Sequence, residues 1–298
     1  MRTLEDLIEA ARRRGAKKVV VAAAHGEEVL QAIKTAQEMG LAKALLVGDA
    51  LLIRSSAERV GLDLAKDQVW HETDPEGIAY RAVELVWSAQ ADILMKGLID
   101  TATLMKAVLD KQSGLRSGRA LSHVAVLQVT DMNRLLIISD SGVNIAPDLT
   151  RKVEIIQNAI EVAQAIGVSL PKVAILAAVE TVNPEMPATV EAANLAKMAE
   201  RGQIRGAIVD GPLALDLAIS LEAAKHKGID SPVAGVADIL IVPNIEVGNV
   251  LLKALIHLSR AKTAQVVVGA KVPLVVTSRS DTCETKLFSL ALGLMMVR

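Results

Sequence analysis

Short runs of β-branched and other apolar residues alternate with longer amphipathic stretches along the whole 298-residue chain. Lys18 to Ala23 is the first such run, and the amphipathic stretch from Glu27 to Met39 follows it, closed by Gly40. Further apolar runs lie at 44–47, 92–95, 124–129 and 135–139, with helical patterns at 52–60, 76–89 and 103–109 between the earlier ones. After Pro147 the rhythm resumes. Helices are expected over 149–166, 188–201, 213–224 and 247–259, strands over 173–177, 207–209, 239–242, 266–268 and 274–276, and one more helix ends the chain. Strands that are apolar without polar alternation belong in a parallel sheet covered by helices on both faces, which makes this a three-layer α/β/α sandwich.

With 51% hydrophobic residues, a chain of this length can bury two cores as readily as one. The expected division is two α/β lobes, residues 1–145 plus 265–298 and residues 146–264. No Pro-, Gly- or Ser-rich linker separates them, so a shared interface is expected, with the active site in the cleft between lobes.

Charge and composition exclude several function classes. Lys and Arg total 33 against 34 Asp and Glu, so no overall positive field draws the chain to nucleic acid or to an anionic membrane. Only two Trp, one Tyr and one Phe are present, too few to build stacking platforms for single-stranded bases. Cys283 is the single cysteine, which fits a reducing compartment and leaves no thiolate set for zinc. The opening residues run into Arg12-Arg13-Arg14 without the apolar core of an export signal, so a cytoplasmic location is expected. The apolar stretch Leu287 to Val297 is short of the ~20 residues that cross a bilayer, and reads as a buried helix. Neither G-x-G-x-x-G after the first strand nor a P-loop occurs.

In an α/β sheet, ligands bind beyond the carboxyl ends of the strands, so polar residues just after apolar runs are the first candidates. Five places qualify. Lys96-Gly97-Leu98-Ile99-Asp100-Thr101-Ala102-Thr103 opens a helix containing Lys106; two hydroxyls, two lysines and helix N-terminal amides suit an oxyanion, while Thr101 or Thr103 can equally serve as a cap. Arg116 and Arg119 sit in a glycine-rich loop ahead of His123. Ser139-Asp140-Ser141-Gly142-Val143-Asn144 is a polar turn that Asp140 and Asn144 can close through Asx bonds, with Asp148 a good cap for the next helix. Asp210 to Asp216 follows a strand, and Asn244 and Glu246 follow another, to be joined by Ser278-Arg279-Ser280-Asp281.

As a set, four phrases resemble the phosphate acetyl/butyryltransferase family: Ser139 to Asn144, Val209 to Asp216, Ala237 to Asn249 and Thr277 to Asp281. Order and spacing agree, the likeness runs from Val19 onward, and it is nearest the phosphate butyryltransferase branch. The resemblance implies a two-lobed fold shared with isocitrate and isopropylmalate dehydrogenases, usually homodimeric. It also implies a ternary-complex reaction between acyl-CoA and phosphate, both substrates, with no cofactor and no metal. Ser278-Arg279 match a Ser-Arg pair that serves catalysis in the acetyltransferase relatives. The acid those relatives carry seven residues after the serine is Thr285 here, which leaves Glu284 and Asp281 as candidate bases. Thr101 through Lys106 corresponds to a Thr-rich segment in which lysine replaces arginine.

The chemistry reads the same way from the residues. Attack on a thioester or an acyl phosphate develops a tetrahedral oxyanion, which Ser278 and Arg279 can stabilise, while a carboxylate takes the thiol proton. Cys283 as a nucleophile lacks a histidine nearby in sequence. Two other readings stand beside this one. A metal-dependent 2-hydroxyacid dehydrogenase of the same fold needs an aspartate cluster, and Asp210, Asp216 and Asp238 are scattered. A CoA or acyl-phosphate sensor that has lost its base is consistent with Thr285.

Overall fold

A computed structural model describes residues 1–297. Along the chain the elements run α1 (Leu4–Arg13), β1 (Lys17–Ala22), α2 (Glu27–Glu38), β2 (Ala42–Gly48), α3 (Ala50–Val60), β3 (Val69–His71), α4 (Pro75–Trp87), β4 (Ile93–Lys96) and α5 (Thr101–Val108). They continue with β5 (Ser122–Gln128), β6 (Leu136–Ser139), α6 (Leu149–Ala165), β7 (Lys172–Leu176), α7 (Pro187–Glu200), β8 (Ile208–Leu213), α8 (Leu215–Ile219) and α9 (Leu221–His226). Last come β9 (Ile239–Ile241), α10 (Ile245–His257), β10 (Lys262–Val268), β11 (Leu274–Val275) and α11 (Cys283–Met296). The short strand β3 and the first helix α1 had no counterpart in the apolar pattern. The helix expected over 213–224 is two, parted at Ser220, whose hydroxyl accepts from the amide of Ala223 and caps α9.

The described chain forms two compact units, residues 5–119 with 264–297 and residues 1–4 with 120–263. This division differs from the one expected at residue 145 by the hairpin of β5 and β6. The two strands pair antiparallel, and β6 then pairs with β9, so both belong with the second unit.

In the first unit the strand order is β3-β2-β1-β4-β11-β10. All neighbours are parallel except β10 and β11. Successive residues of β1, Val19 through Ala22, are all fully buried, so both faces of that strand are covered. α2 packs on α11, and α4 packs on α5. β2 continues from β1 on one side and β4 lies on the other, which makes the β1/β4 junction a point where the strand order reverses. The loops beyond it diverge and leave a recess at the carboxyl ends.

In the second unit the order is β5-β6-β9-β7-β8, parallel apart from the hairpin. α6 buries Ile155, Ile156, Ala159, Ile160 and Val162 and packs against β5, β6 and β9. Its start is fixed by Asp148, whose carboxylate accepts from the amide of Arg151 at 2.8 Å. Among the described residues, no helix is long and apolar enough to cross a membrane.

Candidate active site

The recess of the first unit lies where the chain leaves three adjacent parallel strands, β1, β4 and β11. It is lined by Gly26, Glu28 and Val29 after β1, by Lys96, Gly97 and Leu98 after β4, and by Thr277, Ser278, Arg279 and Lys286 after β11.

Lys96 ends β4 and is 4% exposed, with the carbonyl of Gly97 at 3.4 Å from its Nζ. Burial, then the charges of Arg279 and Lys286, hold its ammonium below the ordinary lysine range. Gly97 lets the chain turn here: its amide donates to the carbonyl of Ala22, and a Cβ would stand 2.2 Å from the carbonyl oxygen of Ala23. Asp100 then caps α5, accepting from the amide of Thr103 at 2.8 Å and from its hydroxyl at 2.5 Å. That hydroxyl bond and the amide bond keep the Asp100 carboxyl below the usual carboxylate range.

The loop after β11 is tied down from within. Asp281 accepts from the amide of Ser278 at 2.8 Å and from the side-chain amide of Gln265 at 3.5 Å. The Ser278 hydroxyl lies 3.0 Å from that of Ser280. Lys286, 5% exposed on the first turns of α11, donates to the carbonyls of Asp281 and Ser278, the latter at 3.5 Å. Burial pushes its ammonium down as well, while Asp281 and then Glu28 oppose that shift. Arg279 is exposed. Thr277 is 4% exposed and its hydroxyl has no hydrogen-bond partner.

Of the residues singled out from sequence, the structure thus brings Lys96, Ser278 and Arg279 together, with Asp281 one contact behind Ser278. Glu284 is exposed in the first turn of α11 and does not line the recess. The same holds for Thr101 and Arg116; Arg116 instead forms a backbone bridge with Ala270. Thr103 is engaged with Asp100, and Lys106 pairs with Glu76 on α4 at 2.8 Å. Thr285, at the position of the relatives' acid, receives the Thr282 hydroxyl at 3.2 Å as part of the α11 cap. Cys283 begins α11 half-buried, and burial raises its thiol above the ordinary range, the opposite of what a nucleophile needs.

The other candidates lie in the second unit. Asp140 is buried and accepts from the amides of Gly142, Val143 and Asn144 and from the Asn144 side chain, which also donates to the carbonyl of Leu121 at 2.7 Å. Asp210 accepts from the amide of Gly211 and the hydroxyl of Ser231. Asn244 caps α10, accepting from the amide of Val247 at 3.0 Å. Glu246 lies in the first turn of that helix, on a groove of about 860 Å³ lined mainly by apolar residues. His123 is buried with Nδ1 2.8 Å from the Ser141 hydroxyl.

Sequence reading missed Gly26, Glu28, Thr277 and Lys286. The rule that found Lys96 applies equally to Ala24-His25-Gly26, which follows β1 and opens α2. Lys286 carried no such signal, since a lysine near the start of a helix reads as solvated. Among the described residues, no group of three or more His, Cys, Asp or Glu side chains comes together that could hold a metal ion.

Known proteins resemble this chain over nearly its full length. The family model described as "Phosphate acetyl/butaryl transferase" matches residues 2–78 and 72–294. A phosphate butyryltransferase of Clostridium acetobutylicum is 46% identical over 296 residues, 99% of this chain and 98% of that one. A phosphate acetyltransferase of Thermotoga maritima is 48% identical over 290 residues, 97% of this chain and 98% of that one. Among solved structures, a branched-chain phosphotransacylase from Enterococcus faecalis V583 superposes with a TM-score of 0.81 at 38% identity, covering 94% of this chain and 99% of that one.

Proposed function

This chain belongs to the phosphate acetyl/butyryltransferase family, and on that footing we propose that it transfers a short acyl group, butyryl or acetyl, between coenzyme A and inorganic phosphate. The observation that carries the reading is the convergence of Lys96, Lys286 and Arg279 beside Ser278 in one recess. Two of these cations are buried; Asp281 and the exposed Glu28 offset part of their charge, and an anion entering the recess offsets more. A phosphate dianion or the phosphoryl end of an acyl phosphate is such an anion.

Toward acyl-CoA, the CoA thiolate attacks the carbonyl carbon of the acyl phosphate. A C–S bond forms, and the carbonyl electron pair moves to oxygen. The Ser278 hydroxyl and the Arg279 guanidinium donate to that oxyanion, and a single donor of this kind is worth about 3 to 4 kcal/mol in an oxyanion hole. Collapse breaks the C–O bond to phosphate, which departs as an anion held by Lys96. The thiol proton passes to a carboxylate, drawn from Asp281 behind Ser278, Glu28 at the rim and Glu284 in the first turn of α11 outside the recess lining. The acyl group moves directly between the two substrates, with Cys283 playing no part, and the reading places no bound cofactor or metal in the reaction.

A cytoplasmic homodimer completes the reading. The single cysteine fits a reducing compartment. The groove of the second unit, with Val247 and Val250 exposed on it, is the kind of apolar surface that a second copy covers.

The test is thiol release from C2 to C6 acyl-CoA thioesters on adding phosphate, with acyl phosphate as the second product. Saturable binding of CoA without thiol release would replace this reading with that of a sensor. Prior chelation is expected to leave the rate unchanged, and its loss with rescue by one metal ion would count against a metal-free reaction.

A further inference from the structure

Three groups line the same recess that neither the motifs nor the family resemblance assign. The first is the N-terminus of α2, a 12-residue helix whose cap position is Gly26, with no side chain to satisfy the first-turn amides. Gly26, Glu28 and Val29 border the recess, so the positive end of that helix faces it. The second is Thr277. Its hydroxyl is buried and lacks any hydrogen-bond partner, an arrangement that costs stability unless a ligand supplies the partner. The third is Lys286. An ammonium has three N–H donors, and the carbonyls of Ser278 and Asp281 take two of them. One donor is left on a side chain that lines the recess.

We propose that the phosphoryl group is seated by the remaining N–H of Lys286, the hydroxyl of Thr277 and the first-turn amides of α2, alongside Lys96. The inference rests on the transferase reading and deepens it by assigning the phosphate end of the substrate. It also gives Lys286 a second effect. The same ammonium that holds the anion grips the backbone on both sides of Arg279, so an occupied seat fixes the Ser278-Arg279 turn in place. Asp281, and after it Glu28 at the rim, help keep Lys286 charged. The recess as it stands has about 10 Å³ of free space, roughly one water, so an entering phosphate displaces side chains. Glu28, Leu98 and Arg279 are the exposed members of the lining and are free to move aside.

The experiment compares wild-type protein with Thr277→Val, Lys286→Met and Lys286→Arg. Inorganic phosphate binding is measured by calorimetry without acyl-CoA, and KM for phosphate and for butyryl-CoA by turnover. Thr277→Val removes an unpaired buried hydroxyl, so its melting temperature without phosphate should be unchanged or higher, while phosphate binds about 3- to 10-fold more weakly. A purely structural role for Thr277 does not produce that combination. Lys286→Met should raise the phosphate KM about 10-fold or more with butyryl-CoA KM within about 2-fold, and Lys286→Arg should recover part of the loss. If Lys286→Met does not fold, Thr277→Val and Lys286→Arg still decide the matter. Unchanged phosphate affinity in Thr277→Val and Lys286→Arg, or equal rises in both KM values, would overturn the seat. Wild-type protein that binds phosphate, loses it in the variants and yet turns over no acyl-CoA would leave the seat standing and remove the transferase reading instead.

Discussion

Asp281 is committed to its own loop, because one carboxylate oxygen already receives the Ser278 amide and the Gln265 side chain. Asp281→Asn keeps one acceptor oxygen for both donors but removes its charge, which weakens the hold on Ser278 whether or not Asp281 takes a proton, and loss of activity in that variant alone does not identify the base. Glu284→Gln and Glu28→Gln are cleaner, since both residues are exposed and keep their shape. The variant that removes the base should lower turnover by about 10² to 10⁴-fold with little change in KM. Full activity in both Gln variants and in their combination, measured by thiol release, would leave Asp281 as the base. A second prediction follows from the lysines. Burial holds the folded-state pKa of Lys96 and Lys286 below 10.5, their value in the unfolded chain. Between the lowered and the unfolded values the unfolded chain binds more protons, so the phosphate-free protein gains stability as pH rises through that window. Phosphate binding needs the ammonium form and should weaken over the same window. Melting temperature and phosphate KM should both climb toward alkaline pH in the wild type and climb less in Lys96→Met; superimposable profiles would speak against the buried cation. Lys96, Ser278 and Arg279 were legible in the sequence because strand-end loops are where an α/β sheet binds ligands. Asp100 and Glu76 engage Thr103 and Lys106, contacts the sequence did not announce, since a partner 30 positions away, as Glu76 is from Lys106, leaves no local trace.

At the scale of elements, the junction of β4 and α5 shows how a strand end becomes a site. β4 must turn away immediately after Lys96, and the turn passes so close to the end of β1 that only glycine fits at 97. Both atoms that a Cβ would strike first are backbone carbonyl oxygens, at 2.2 and 2.8 Å, and they cannot swing aside as a side chain does. Gly97→Ala should therefore shift β4 relative to β1, costing about 1 to 3 kcal/mol as other overpacking changes do, and should displace Lys96 with it. The expected result is a lower melting temperature together with a higher phosphate KM; an unchanged melting temperature would mean that the junction is looser than the structure shows. Long helices and central strands were legible here because burial on one or both faces imposes a period on the sequence. β3 was not, since three residues at a sheet edge hold no period, and the break between α8 and α9 depends on a single serine cap inside an otherwise helical pattern.

At the scale of the whole molecule, two α/β units were legible from the resumption of the strand-helix rhythm, but their boundary was not. A hairpin carries no mark in sequence of the sheet it will join; β5 and β6 are assigned only by the pairing of β6 with β9. The same blindness applies to assembly. Val247 and Val250 fit the helical period of α10 as well as any core residue, yet they are 42% and 68% exposed on the second unit's groove. Apolar side chains so placed are stabilising only when another surface removes them from water, at about 25 cal/mol per Å². If a second copy provides that surface, a charge at its centre should abolish the dimer without unfolding the chain, because the side chain already faces outward. Val250→Glu is expected to sediment as a monomer where the wild type sediments as a dimer, with an unaltered far-ultraviolet circular dichroism spectrum. Trp87→Glu, equally exposed but in the first unit, controls for charge alone and should leave the dimer intact. A wild-type monomer, or a Val250→Glu dimer as tight as the wild type, would remove this groove as the contact between copies.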